Sequence, residues 1–283
     1  MIRIITDSAA DMTVEEARAV GVQLVSLNIQ FADRLYRQEE DPDFRNFYRL
    51  LENAKELPTT SQPSPEDYAV LYRQARDAGD SVVVVTLSSK LSGTLQSATM
   101  AKEMVEGAEV YLVDSLSAVI GQRLLVEHAV RLRDAGKSAQ EIADTLQGLR
   151  NRVVVWAMLD TLTYLAKGGR MPKGMAALGQ LLRIKPIIAI RDGVLAMVQK
   201  ARGYPALLAQ MAAGPDIDRD FPVYFGYTAF EDLCLKCMAS ARERFHLDYT
   251  GLFPVGGLIG AHVGPNCIAV GYISKQPVTG TVG

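Results

Sequence analysis

Cysteine is scarce in this chain of 283 residues: there are three, Cys234, Cys237 and Cys267. An odd number does not suit a disulfide framework at this length and fits a reducing compartment better. Cys234 and Cys237 form a C-x-x-C, but it lies in a helix-like segment, Phe230–Arg244, with no second metal-ligand pair nearby and no redox-type strand and turn around it. Ordinary helical packing is the expectation there, and no metal site is expected. A charge excess is lacking too. Thirty Lys and Arg against 32 Asp and Glu leave a formal net charge of −2, and no run of like charges exceeds a few residues, so nothing marks a nucleic-acid or anionic membrane surface. Long hydrophobic runs are missing as well. Stretches such as Val82–Leu87 and Ile184–Ile190 have strand length, well short of the roughly 20 residues of a spanning helix. The opening Met-Ile-Arg-Ile-Ile-Thr-Asp enters a strand-like run directly, without the parts of a signal peptide, so a cytoplasmic location is expected. There is no P-loop, G-x-G-x-x-G after a strand, H-E-x-x-H, G-x-S-x-G elbow, internal repeat or low-complexity segment.

What is present is alternation. Short β-branched runs at Ile2–Ile5, Val22–Leu27, Ser81–Leu87 and Val110–Val113 read as strands. Val14–Val20, Pro65–Ala78, Gly93–Val105 and Val119–Ala135 between them read as helices. Strands alternating with helices argue for parallel βαβ units, with helices on both faces of one sheet. At 48% hydrophobic content the chain can fill two cores, and the texture changes after about Arg152. Val153–Met158 reads as a strand and Asp160–Lys167 as a helix opened by an Asp cap and stopped at Gly168-Gly169. Lys185–Ile190 and Val194–Lys200 flank Arg191-Asp192-Gly193, a hairpin signature. Further strands at Val223–Tyr227, Tyr249–Val255 and Ile268–Ile273 are separated by helical Tyr204–Ala213 and Phe230–Arg244. The expected organisation is an α/β domain over residues 1–150, an α+β domain with antiparallel pairing over 151–275, and a loose tail over 276–283.

Ligands of open α/β sheets sit beyond the carboxyl ends of the strands. The loops leaving these strands are Thr6-Asp7-Ser8, Ser88–Thr94 and Asp114–Ser117, all rich in small hydroxyl or acidic residues. Each alone is accounted for by helix capping. Three of them at one sheet edge point to a polar site.

Thr6-Asp7-Ser8, Thr60-Ser61-Gln62-Pro63-Ser64, Leu91-Ser92-Gly93-Thr94 running into Gln96-Ser97-Ala98, Asp114-Ser115, Leu165–Arg170, Lys185-Pro186-Ile187 and Ala261-His262-Val263-Gly264-Pro265 occur in this order. This ordered set, spanning Thr6 to Ser274, resembles the DegV family, whose members include lipid-binding subunits of bacterial fatty acid kinases. The resemblance implies a Rossmann-like N-terminal domain, a C-terminal domain on an antiparallel sheet, and a long-chain fatty acid such as palmitate held between them. It implies a carboxyl site at Thr60, Ser92 and His262, with Ser61 and Gly93 beside them. It also implies a separate kinase subunit as partner, docking on Arg170 and Arg202, and no cofactor on this chain. The sequence departs from the family pattern at Ala261, where Thr is common, and at Asn266-Cys267, where Gly is frequent.

Chemically, a hydroxyl both donates and accepts, so it can hold a carboxyl group in either ionisation state. Ser92-Gly93-Thr94 opens a helical pattern whose free N–H groups attract a carboxylate oxygen. Apolar residues near the domain junction, Ile120, Met158, Leu159 and Ile187, are candidates for the acyl-chain wall, and plain core serves equally well for each. Two other classes stay open from the residues alone. One is a hydrolase or acyltransferase with Ser92 or Ser8 as nucleophile, His262 as base and Asp7 or Asp114 as orienter. The other is a lipid-responsive regulator acting through a protein partner.

Overall fold

The computed structural model describes residues 1–171 and 185–278. The N-terminal half runs β1 (Ile2–Asp7), α1 (Val14–Ala19), β2 (Val22–Val25), β3 (Asn28–Gln30), β4 (Leu35–Tyr36), α2 (Arg45–Asn53), β5 (Thr59–Ser61), α3 (Pro65–Asp77), β6 (Ser81–Thr86), α4 (Thr94–Met104), β7 (Val110–Asp114), α5 (Ile120–Asp134) and α6 (Ala139–Leu149). Strands β2-β1-β6-β7 form one parallel sheet in that order, as the alternation predicts. Period two decides which helix each residue meets. Ile5, Val82 and Val84 pack with Tyr68, Tyr72 and Ala98 of α3 and α4, whereas Ile4, Val83 and Val85 face Leu125 and Ile142 of α5 and α6. Helix α3 starts at a reciprocal cap between Ser64 and Asp67 with Pro65 in its first turn.

One expected strand is broken. Val22–Leu27 pairs with β1 only to Val25, because the Leu27 N–H donates to Ser8 Oγ instead (3.0 Å). The chain then forms a small antiparallel sheet, β4-β3-β5, in which Thr60 lies opposite Ile29. Its strands of two or three residues are too short for periodicity to mark.

The C-terminal half contains β8 (Val153–Met158), α7 (Thr163–Lys167), β9 (Lys185–Arg191), β10 (Val194–Ala201), α8 (Pro205–Ala213), β11 (Val223–Tyr227), α9 (Asp232–Phe245), β12 (Thr250–Pro254), α10 (Gly257–Val263) and β13 (Ile268–Ile273). Its sheet has the order β10-β9-β8-β13-β11-β12 and is antiparallel except for β11 and β12, which run parallel with α9 as their crossover. The expected antiparallel sheet is therefore mixed. Asp192 and Gly193 both take positive φ (48° and 82°) between β9 and β10, the twist a two-residue hairpin needs. Asp160 does not cap α7: it pairs with Lys185 (3.0 Å), and the Thr163 N–H donates to Thr161 Oγ1. At the tail, the Val278 N–H donates to Asn151 O (2.8 Å), while residues 279–283 lie outside the described residues. Helix α5 touches β1 and β6 of the first sheet and β8, β11 and β13 of the second, so the two halves share a core through it.

Candidate functional site

A cavity lies between the two sheets, walled by the β6–α4 loop, β5, the start of α5, α10 and strands β8, β9, β10 and β13. Most of its wall is aliphatic, including Leu27, Leu87, Val155, Ile188, Ile190 and Leu258. The polar exceptions are Thr60, Ser61, Gln62, Ser92, Arg170 and His262.

All of these except Ser61, whose Oγ accepts from Asn28 Nδ2 (3.3 Å), are linked into one cluster. Thr60 Oγ1 and His262 Nε2 are 2.9 Å apart, bringing β5 of one half to the last turn of α10 in the other. The His262 imidazole rests on Gly168 at the end of α7, where a Cβ would overlap Nδ1. Arg170 donates to Gly168 O (2.7 Å) and to Leu91 O (3.2 Å), which leads to Ser92. Ser92 Oγ pairs with Thr94 Oγ1 at 2.9 Å. Gly93 then lies under Gln62, which would collide with any side chain there and which donates through Nε2 to Ser97 Oγ (2.9 Å). Gln62 returns the circuit to the β5 segment.

Burial, with the Arg170 charge second, pushes the His262 pKa down to about 4. The ring is neutral around pH 7, with one donor and one acceptor nitrogen. Its Nδ1 is buried and has no hydrogen-bond partner among the described residues.

Thr60, Ser61, Ser92 and His262 thus come together at this cavity, and Gly93 lies against Gln62 of its wall. The four acyl-wall candidates do not reach it. Met158 and Ile187 are register partners that pack with Phe225 and Leu207 in the second core. The adjoining pair, Ala157 and Ile188, lines the cavity; alternation turns neighbours to opposite faces. Ile120 is buried under Gly226 and Gly271 of the second sheet. Leu159 sits among Leu165, Ile188 and Cys267, which line the cavity where it does not. Arg202 is exposed, but Arg170 is half-buried in the cavity wall and not a free surface charge. Gln62 and Gly168 received no role from sequence reasoning, although both lie inside the quoted motifs.

The acyl-transfer constellation is not assembled. Asp7 accepts from the Ala9 and Leu87 N–H groups, Asp114 from Ser89 and the Leu116 N–H, and Ser8 Oγ from the Leu27 N–H. No carboxylate meets His262 by a hydrogen bond among the described residues. Burial lifts the Asp7 carboxyl to about 6 against three stabilising hydrogen bonds, which is the cost of tying β1 to the β6 loop. Cys234 and Cys237 are buried in α9, their thiols pushed upward by burial, Cys237 to about 12; they behave as packing residues.

A family model described as "Uncharacterised protein, DegV family" matches residues 1–275. The chain belongs to the DegV family. Among solved structures, a DegV-family protein from Thermus thermophilus titled for its fatty acid binding is 30% identical, with a TM-score of 0.83 over 96% of this chain and 99% of that one. A stearic acid-binding protein from Eubacterium ventriosum is 27% identical, with a TM-score of 0.86 over 97% and 99%. The fatty acid kinase B3 protein of Streptococcus pneumoniae, loaded with linoleic acid, is 25% identical, with a TM-score of 0.82 over 96% and 99%. In this chain a parallel sheet and a mixed sheet enclose the cavity between them. Among the described residues no helix is long and apolar enough to cross a membrane.

Proposed function

We propose that this DegV protein binds a long-chain fatty acid in the cavity between its sheets and presents the carboxyl group to a separate ATP-dependent kinase subunit, which converts it to an acyl phosphate. The observation that carries the reading is the neutral Thr60–His262 pair at the polar end of an otherwise aliphatic cavity. With its proton on Nε2, the imidazole donates to Thr60 Oγ1 and leaves the Thr60 hydroxyl to donate to a carboxylate. Ser92, with Ser61 and the free N–H groups after Gly93, completes a cradle of neutral donors. The tail dominates affinity: about 0.8 kcal/mol per buried methylene gives roughly 10 kcal/mol for a sixteen-carbon chain before ordering costs.

Phosphoryl transfer joins a carboxylate oxygen to the γ-phosphorus of ATP as the bond to ADP breaks, so negative charge grows at the polar end. Arg170, in the wall there, supplies the cation that meets it. Arg202, exposed after β10, is the docking residue. The fatty-acid-bound relatives support the ligand, and the Streptococcus pneumoniae protein supports the kinase partner. Mass spectrometry of lipid released from the purified protein tests the reading. A long-chain fatty acid is expected; no lipid, together with no uptake of added palmitate, overturns it.

A further inference from the structure

Helix α10, which carries His262 in its last turn, is poorly equipped to exist alone. It has seven residues, two of them glycine (Gly257 and Gly260), and its N-cap, Gly256, has no side chain to offer. Helices so short are marginal in water, and glycine weakens them further. The glycines are nevertheless required by proximity. A Cβ on Gly257 would lie 2.5 Å from the Phe47 ring, and one on Gly260 would lie 2.7 Å from Tyr48 Oη, both on α2 of the other half.

The capping this helix lacks arrives from across the domain junction. Asp11 Oδ1 accepts from the Gly256 N–H (3.0 Å), and Gln38 Oε1 accepts from the Leu258 N–H (2.9 Å). Gln38 is itself held by donating through Nε2 to Ser8 O (3.0 Å), and Tyr48 Oη donates to Val255 O (2.7 Å). Two of the orphan N–H groups of the first turn are thereby satisfied by N-terminal side chains. Asp11 adopts φ 50° and ψ 36° to reach its partner, and its other oxygen is buried with no hydrogen-bond partner among the described residues. Burial drives its carboxyl well above the ordinary carboxylate range. A group so placed costs stability, so its capping contact is what it contributes.

We infer that Gln38 and Asp11 are positioning residues for His262: by capping α10 from the opposite half they set where the imidazole meets Thr60, and hence how the ligand carboxyl group is held. This rests on the fatty-acid reading above. Neither residue lines the cavity, so each acts through the helix.

The test is a double-mutant cycle read with palmitate labelled with carbon-13 at the carboxyl. Gln38→Met keeps the length and removes both hydrogen bonds. Asp11→Gly removes the other cap while suiting the left-handed backbone and deleting a strained, buried carboxyl, so it serves if Gln38→Met fails to fold. Each is expected to raise the palmitate release rate roughly three- to tenfold and to move the bound carboxyl resonance in the direction His262→Ala moves it. In the His262→Ala background each is expected to add less than about twofold. Full additivity there, or a wild-type release rate and resonance in the single variants, overturns the inference. Failure of the wild-type protein to take up palmitate overturns the underlying reading instead.

Discussion

Gly168→Ala is the sharpest test of the site's geometry, because local and tertiary effects oppose each other there. Gly168 has φ −76° and ψ −2° at the end of α7, a backbone that alanine adopts without strain. Helix propensity alone favours the change by up to about 1 kcal/mol. The new Cβ, however, would overlap His262 Nδ1 and stand 3.0 Å from Cε1 and 3.1 Å from Tyr164 O. Restoring van der Waals separation of about 3.5 Å moves the ring by about 1 Å. A shift of that size takes the 2.9 Å contact with Thr60 off its hydrogen-bonding geometry. Losing one such bond is worth about 1 kcal/mol, or roughly fivefold in ligand retention. Fatty-acid release measured by transfer to an acceptor membrane should therefore quicken about fivefold, and kinase-coupled acyl phosphate formation should fall by more. A Gly168→Ala protein that releases fatty acid at the wild-type rate would show that the imidazole contact does not hold the ligand.

The remaining expectations follow from the same structure. Ala157→Leu, on the cavity side of β8, should lower the lipid recovered per chain while leaving the protein folded; Met158→Ala, one residue along in the second core, should instead cost about 2–5 kcal/mol of stability in denaturant titration and spare binding. Thr60→Ala and Ser92→Ala should weaken palmitate binding by no more than about tenfold yet cut the kinase-coupled rate more deeply, since the tail supplies most of the affinity; full activity in both would displace the carboxyl site. With a folded pKa of about 4 below the ordinary 6.5, neutral His262 contributes stability that is lost as pH falls from 6.5 through 4. Asp7, raised to about 6, works in the opposite sense, since stability falls as pH rises from 3.8 through 6. Comparing the melting-temperature profiles of wild type and His262→Gln between pH 7 and 4 isolates the histidine part, and parallel profiles would refute it. Arg202→Glu should slow the kinase-coupled rate and leave lipid content unchanged; lost lipid would place Arg202 in the fold or the pocket.

The sequence by itself determined whatever depends on neighbours along the chain. Alternating β-branched and helical segments announced the parallel sheet, Asp192-Gly193 announced the hairpin through its left-handed dihedrals, and the ordered motifs marked Thr60, Ser92 and His262, which do converge on one cavity. Tertiary structure alone decided which member of each strand pair faces that cavity: Ala157 and Ile188 line it, Met158 and Ile187 do not, because a buried strand apolar on both faces carries no mark of its parity. It alone placed Thr60 on a three-residue strand too short for any period to register. Only the folded chain brings Asp11 and Gln38 to the helix that holds His262. Those contacts span more than 200 residues of sequence, and a hydrogen bond across such a distance leaves no trace in the local pattern of either partner.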